Sequence, residues 1–536
     1  MLPLSPRERR AGHALLAAFL LFIILPYLWA WAITPPGFHW GGILFSADDP
    51  NVHLMWARQA QDGAFFVRDL FTTEGLISGA RPLFFNVLAL VMGCLSRLTG
   101  MEVGFSYHII RVAGAAWALW QLHLLSWTAT QGDPDRENAR LWTLALAAFT
   151  TGAGFLALAL PQLLQSVILF DRADNLNWPL MPEAFLILSA LLYPLNIVAF
   201  GLLALIVRHI LDGKWWPTFI GAALLANIHT YDALPLVVLA LVWALWQWKG
   251  DRAGALRALS AVAGAAIPVG YQLLVFRDST EFRIKALTLT PPPALRFTLL
   301  SMAPLLLLAV VGWFALHPYK RQRNLLALWA LATLALVYVP TSVFSFARKM
   351  IEGFQLPLLV LGGAGLASLK RPFLAALLVV VMALSPLETL GWILNNAQEN
   401  NASRWKLLMP VLYLRDSEVG ALSAINASQQ AGAVLCLPFI GAYVPRATGK
   451  YAYAGHWAET LYLQDVKLPQ LGRFYRNQMA PDEARAWLHA NGIRWVMVSF
   501  YERGFSDGAP GPQALGLQAV YNSGMGDNRT VVYAVT

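Results

Sequence analysis

Charge is scarce in this chain. Only 13% of its 536 residues are Asp, Glu, Lys or Arg, while 57% are hydrophobic. A soluble domain carries about twice that share of charge, so a purely soluble fold is excluded. Cysteine is scarcer still, with Cys94 and Cys436 alone. They lie in a membrane-associated run and a strand-like run, so a bridge is not expected, and nothing resembles thiolate–metal spacing. Internal repeats and low-complexity tracts are also missing, which removes solenoids and arrays. No small-residue cleavage site follows the first apolar run, so that run reads as a retained helix and not a leader.

Long apolar sequence is what the chain has in quantity. Many stretches reach the roughly 20 residues that a spanning helix requires. The net charge of +9 would suit nucleic acid. The basic residues, however, cluster between apolar runs, as the positive-inside rule demands, and nucleic acid is rejected as a partner.

Arg7, Arg9 and Arg10 precede the first run, placing the N-terminus in the cytoplasm. The run at 82–98 is ambiguous, and charge parity decides it. If it does not cross, the spans are 14–34, 108–129, 141–160, 183–207, 216–230, 233–248, 255–275, 294–316, 324–343, 354–369 and 372–393. Arg208, Lys214, Lys249, Arg252, Arg257, Lys320, Arg321, Arg323, Lys370 and Arg371 then all face the cytoplasm. The expectation is an α-helical polytopic membrane protein of about eleven spans. Residues 1–393 form the membrane module, with a first outer loop at 35–107, and residues 394–536 form an outer α/β domain. In that tail, 433–437 and 494–499 read as buried strands, 481–490 as a helix stopped by Asn491-Gly492, and 530–535 as the last strand.

Residues 45–74, FSADDPNVHLMWARQAQDGAFFVRDLFTTE, follow the first span. Asp49 reads as an N-cap, Pro50 as the first helical residue and Gly63 as the terminator. Val52, Met55, Trp56 and Ala60 share one face, which predicts a helix lying on the bilayer surface. Asp48 has no capping duty, and a carboxylate at the lipid boundary is costly to keep without a task. It is the candidate base for a transfer to a hydroxyl, against the plain reading of a solvated loop acid. Asp48 and Asp49 would also be the residues for a divalent cation; no cofactor is called for with certainty.

The topology places every other unusual polar group on the outer side. Asp171 and Asp174 offer a second acid or an acceptor contact, and Glu183 either joins them or favours the dipole of the next helix. His229, Tyr231 and Asp232 join two spans, with Asp232 a functional group or a cap. Arg348 and Lys349, and with them Arg277, Arg283 and Lys285, break the positive-inside rule, which suits a lipid phosphate, ordinary headgroups, or pairing with Glu352 and Glu281. Residues 453–459, YAGHWAE, put aromatic faces beside polar groups, as sugars need and as a domain core also uses.

One span, an outer loop with an acidic pair, an amphipathic helix, then Arg81-Pro82 opening a juxtamembrane helix: this order resembles the GT-C superfamily of integral-membrane glycosyltransferases. The plan over 1–393, with an outer C-terminal domain, is similar to that of the protein O-mannosyltransferases and the bacterial aminoarabinose transferase. The resemblance implies an inverting transferase in the bacterial inner membrane. It also implies a polyprenyl-phosphate sugar donor, contact with membrane lipids, and a periplasmic acceptor that is a lipid, glycan or protein. Asp48 would match the first-loop catalytic acid, with Asp49 the alternative, and Asp171 or Asp174 the second-loop acid. Leu83 departs from the Lys/Arg-Pro-Pro pattern, so the acceptor is not carried over. The rival is a transporter or flippase of lipid-linked glycans, which would place polar groups at the midplane within repeats. A third reading is a degenerate transferase kept as an assembly partner.

Overall fold

This computed structural model describes residues 4–79, 81–153, 182–400, 411–506 and 511–536. They divide into two units. The first is Met1–Leu25, His108–Leu273 and Leu289–Trp392; the second is Pro26–Tyr107, Leu274–Thr288 and Ile393–Thr536.

The chain is a polytopic α-helical membrane protein. Seven described helices are long and apolar enough to cross a membrane: Pro6–Ala32, Pro194–Asp212, Thr230–Gln247, Arg252–Asp278, Leu295–Ala315, Ala347–Ser368 and Pro372–Gln398. The remaining expected spans fall on helices Val103–Ala129, Arg136–Phe149, Trp215–Ile228 and Lys320–Val337, which do not meet that measure; of the span expected at 141–160, residues 154–160 lie outside the described residues. The span expected at 183–207 needs correcting. A short helix, Leu186–Leu192, ends at Tyr193, whose backbone is extended, and Pro194 opens a new helix. Proline has no N–H to continue the first helix and pushes the residue before it out of helical conformation.

Within the first unit, helix Gln355–Ser368 is buried almost throughout and packs against Leu295–Ala315 and Arg136–Phe149. Its glycines allow that approach. A Cβ on Gly365 would lie 2.2 Å from the Leu308 carbonyl oxygen, and one on Gly363 2.2 Å from Thr143 Oγ1. Apolar helices in lipid gain from van der Waals contact, so small residues at crossings replace the hydrophobic drive available in water.

The second unit contains a five-stranded mixed sheet. Its strands are β3 (Ala433–Leu435), β4 (Tyr451–Ala452), β5 (Ile493–Val498), β6 (Gln518–Ser523) and β7 (Thr530–Ala534), in the order β4-β3-β5-β7-β6. β3 runs parallel to β4 and β5, while β7 is antiparallel to β5 and β6. Helix Pro481–Ala490 and strands β3, β5 and β7 stand where the hydrophobic pattern predicts them. Val434, Cys436, Trp495, Met497 and Val532 form part of the apolar core of this sheet. A two-stranded ladder, β1 (Phe38–Trp40) against β2 (Tyr413–Arg415), ties the first loop to the C-terminal segment. Cys94 is exposed and Cys436 buried, and both are free thiols.

The ambiguous run at 82–98 forms helix Val87–Thr99, 13 residues long. At about 1.5 Å per residue it reaches about 20 Å, short of the roughly 30 Å of hydrocarbon. Asn86 caps it, its Oδ1 accepting the Leu88 and Ala89 N–H groups at 3.1 Å.

Glu418 closes the first turn of helix Asp416–Ala427, its Oε2 accepting the Arg415 backbone N–H at 2.8 Å. Burial lifts this carboxyl from 4.5 to about 7. The folded protein therefore holds the proton more tightly than the unfolded chain. The stability this contributes is complete below about 4.5 and is lost as the pH rises to about 7. Glu418→Gln cannot ionise. Across that window its thermal midpoint is expected to fall less with rising pH than that of the wild type; parallel curves would refute the assignment.

Candidate functional site

Helix Asp48–Gln61 begins after Ser46, which adopts a left-handed backbone (φ 47°). Ala47 occupies the cap position and no side chain caps the end. The expectation that Asp49 is the N-cap is therefore corrected: the helix starts one residue earlier, and both acids lie in its first turn. There they meet the positive end of the helix dipole, which stabilises negative charge. Gly63 (φ 103°) follows the helix end, as expected. The expectation of a helix on the bilayer surface is also corrected. Val52, Met55, Trp56 and Ala60 are buried, and the helix packs on Val87–Thr99 and on helix Val444–Thr448.

Polar ties fix its position. Arg446 Nη1 donates to Asn51 Oδ1 at 3.1 Å. Arg58 Nη1 donates to the Ala447 carbonyl at 3.0 Å, and Arg58 Nη2 to Asn426 Oδ1 at 2.9 Å. The two acids differ in setting. Asp48 is 1% exposed, whereas the Asp49 side chain is 52% exposed. His456, from the YAGHWAE segment, faces Asp49 with Nε2 3.5 Å from Oδ1. Its Nδ1 accepts the backbone N–H groups of Ala458 and Glu459, each at 3.0 Å. Those two donors leave the proton of the neutral ring on Nε2, aimed at Asp49.

The His456 loop is itself tethered. Thr460 Oγ1 accepts the Gly455 and His456 N–H groups and donates to the Phe71 carbonyl at 2.8 Å. Lys467 Nζ donates to Thr72 Oγ1 at 3.0 Å and to Glu74 Oε2 at 2.9 Å. Burial is the main pull lowering the pKa of this ammonium, offset by Glu74 and Asp69. Lys285 pairs with Glu459 and lies 5.5 Å above the Trp56 ring. Burial, then the Glu459 charge, push the Asp69 carboxyl well above its usual range, against Lys285 and the Phe71 N–H.

Asp48, Asp49 and His456 place one ligand atom each within 4.8 Å of one another. The carboxylates suit a hard divalent cation. The Nε2–H tautomer does not, because the atom facing Asp49 has no lone pair to give.

The first unit holds a second cluster. His229 Nδ1 lies 3.0 Å from Asp232 Oδ2 and 3.2 Å from Glu352 Oε2. Asp232 starts the helix after it but makes no cap hydrogen bond, so its role as a cap is not borne out. Tyr231 stands 5.6 Å from the His229 ring, with the Lys349 ammonium 4.9 Å over its face. Glu183 lies in a short 3-10 turn, Pro182–Ala184. The Arg348 backbone N–H donates to the Thr290 carbonyl at 3.1 Å. Arg277, in the second unit, is exposed and paired with Asp278 at 2.7 Å. Asp171 and Asp174 lie outside the described residues.

Helices Asp48–Gln61 and Val87–Thr99 touch at Gly93, where a Cβ would lie 2.4 Å from Ala60 Cβ and 2.5 Å from the Ala57 carbonyl oxygen. Gly93→Val is expected to cost about 1–3 kcal/mol by overpacking and to lower the thermal midpoint of the purified protein. Gly391→Val, where a Cβ meets nothing within 4 Å among the described residues, leaves the midpoint in place. Equal midpoints for both variants would show that this contact is not tight.

No family model and no curated protein sequence matches the chain. Solved structures do. ArnT from Cupriavidus metallidurans, bound to undecaprenyl phosphate, aligns over 96% of this chain and 97% of its own, at TM-score 0.52 and 13% identity. The oligosaccharyltransferase AglB from Archaeoglobus fulgidus, in complex with an inhibitory peptide and a dolichol-phosphate, aligns over 99% and 75%, at TM-score 0.51 and 12% identity. The chain thus has the fold of the GT-C integral-membrane glycosyltransferases.

Proposed function

We propose that the chain is a membrane glycosyltransferase. It moves a sugar from a polyprenyl-phosphate donor to an acceptor hydroxyl or amine on the outer side of a bacterial inner membrane. The fold supports the reaction class, and two neighbours of that fold were solved with polyprenyl phosphates bound. The observation that carries the reading is the acidic pair in the first turn of helix Asp48–Gln61, directly after the first span.

In this reading Asp48 is the base. The acceptor attacks the anomeric carbon from the face opposite the phosphate. The new glycosidic bond forms as the bond to the phosphate oxygen breaks, and the acceptor proton passes to the Asp48 carboxylate. One displacement of this kind inverts the anomeric centre. The phosphate is already a good leaving group, so the protein mainly positions the reactants and takes the proton. Enclosure suits Asp48: a base shielded from bulk water does not activate water against the donor. In the same reading Asp49, exposed and faced by the His456 Nε2–H, orients the acceptor. A divalent cation held by the two carboxylates would stabilise negative charge on the departing phosphate.

Asp48→Asn is expected to lower transfer at least about 100-fold in membranes supplied with polyprenyl-phosphate sugars, with expression retained. Asp49→Asn is expected to act more on the acceptor KM. Full activity of Asp48→Asn would discard the base assignment. Sidedness is tested through the exposed thiol of Cys94, with the buried Cys436 as internal control. A membrane-impermeant maleimide applied to intact spheroplasts is expected to label Cys94. Labelling only after lysis would put the first loop in the cytoplasm and sink the proposed orientation.

A further inference from the structure

The cluster of His229, Asp232 and Glu352 takes no part in the reaction above, yet its charges are costly where they stand. The Asp232 and Glu352 side chains are fully enclosed and that of His229 is 12% exposed. The Nδ1 hydrogen bond of His229 goes to Asp232 Oδ2. Asp232 Oδ1 and both Glu352 oxygens receive no hydrogen bond among the described residues. One imidazole proton thus faces two carboxylates, and buried carboxylate oxygens without donors are among the most expensive groups a protein can hold. Glu183 adds a further negative charge that acts on both acids, and Lys349 is a cation acting on Glu352.

The distances suggest what balances them. A tetrahedral ion with bonds of about 2.0–2.1 Å sets its ligand atoms about 3.3 Å apart. The imidazole nitrogen stands 3.0 and 3.2 Å from the two carboxylates, and one ligand atom from each residue lies within 4.8 Å of the others. The histidine is also able to ligate. No hydrogen bond among the described residues engages its Nε2, so the proton can move there and leave the Nδ1 lone pair for a metal. His456 lacks that freedom, since two amides occupy its Nδ1.

We propose that His229, Asp232 and Glu352 bind one divalent first-row cation, for which one imidazole nitrogen and two carboxylates make a suitable donor set. With three protein ligands, a fourth position stays open to water or to an anionic oxygen. The ion neutralises the two buried acids and ties the turn Thr230–Asp232, between two helices, to the segment just before helix Gln355–Ser368.

The test uses the full-length protein in detergent, as the Asp48→Asn/Asp49→Asn double variant so that the acidic pair cannot contribute. The protein is stripped with a chelator, equilibrated with ZnCl2 or MnCl2 and desalted. About one ion per chain is expected to remain. Adding Glu352→Gln or Asp232→Asn is expected to weaken that binding at least about 10-fold. On the Mn²⁺-loaded double variant, pulsed electron paramagnetic resonance is expected to show coupling to one imidazole nitrogen, independently of any further substitution. A double variant that retains neither ion, unchanged binding after Glu352→Gln, or a Mn²⁺ spectrum without nitrogen coupling would each overturn the proposal. Because none of these readouts is transfer activity, loss of the glycosyltransferase reading would leave this result standing, and the reverse holds too.

Discussion

The second unit depends on holding two adjacent carboxylates at the amino end of one helix. Side by side they repel each other, so the fold must supply compensation within a few ångströms. It does so first through backbone: the opening turn of helix Asp48–Gln61 offers the positive end of a dipole. It does so secondly by geometry. Gly93 lets Val87–Thr99 come close enough to fix the helix along its length, and Arg446 and Arg58 bind it to the segment after β3. The acid pair therefore sits on an element braced from two sides.

The same economy of charge runs through the rest of the unit. Asp69, Glu459, Glu281 and Lys285 form a buried set in which acids outnumber the cation, and Lys467 with Glu74 forms another beside it. Neither set gains much stability from attraction alone, because desolvation consumes most of it. Their effect is directional. They lock the segment carrying Phe71 and Thr72 to the loop carrying His456, through Thr460 and Lys467. In this way the C-terminal segment presents an imidazole to Asp49 from more than 400 positions away in sequence.

That separation explains what could be read from the sequence and what could not. Helix Pro481–Ala490 and strands β3, β5 and β7 follow from local signals: hydrophobic period, a proline start and an Asn-Gly stop. The run at 82–98 has no such local signal, and only the charge parity of the whole chain argues that it does not cross. The break at Tyr193-Pro194 escapes the sequence reading, because the apolar run continues on both sides of the proline. The start of helix Asp48–Gln61 missed by one residue because Asp is favoured both at a cap and in the first turn. The meeting of Asp49 with His456 had no local signal. YAGHWAE read as an aromatic, polar segment, and only the tertiary fold shows what its histidine faces. Sidedness alone groups Arg277 with Arg348 and Lys349, whereas in the structure Arg277 pairs with its neighbour Asp278.

The two histidines show how identical side chains receive different work from backbone alone. Each stands between or beside carboxylates, so composition cannot separate them. At His456 the chain turns so that two successive amides, of Ala458 and Glu459, point at Nδ1. That turn fixes the tautomer, and with it the Nε2–H that faces Asp49 Oδ1 at 3.5 Å. At His229 the chain ends one helix and starts a 3-10 turn, so the amides after it serve helical bonds; the Asp232 N–H goes back to the His229 carbonyl at 3.2 Å. The ring is left with its Nδ1 toward two acids and no backbone group dictating where its proton resides. A histidine whose tautomer is set from behind is committed to hydrogen bonding, whereas one set only by its ligands keeps a lone pair available, and on that ground the two sites are assigned different chemistry.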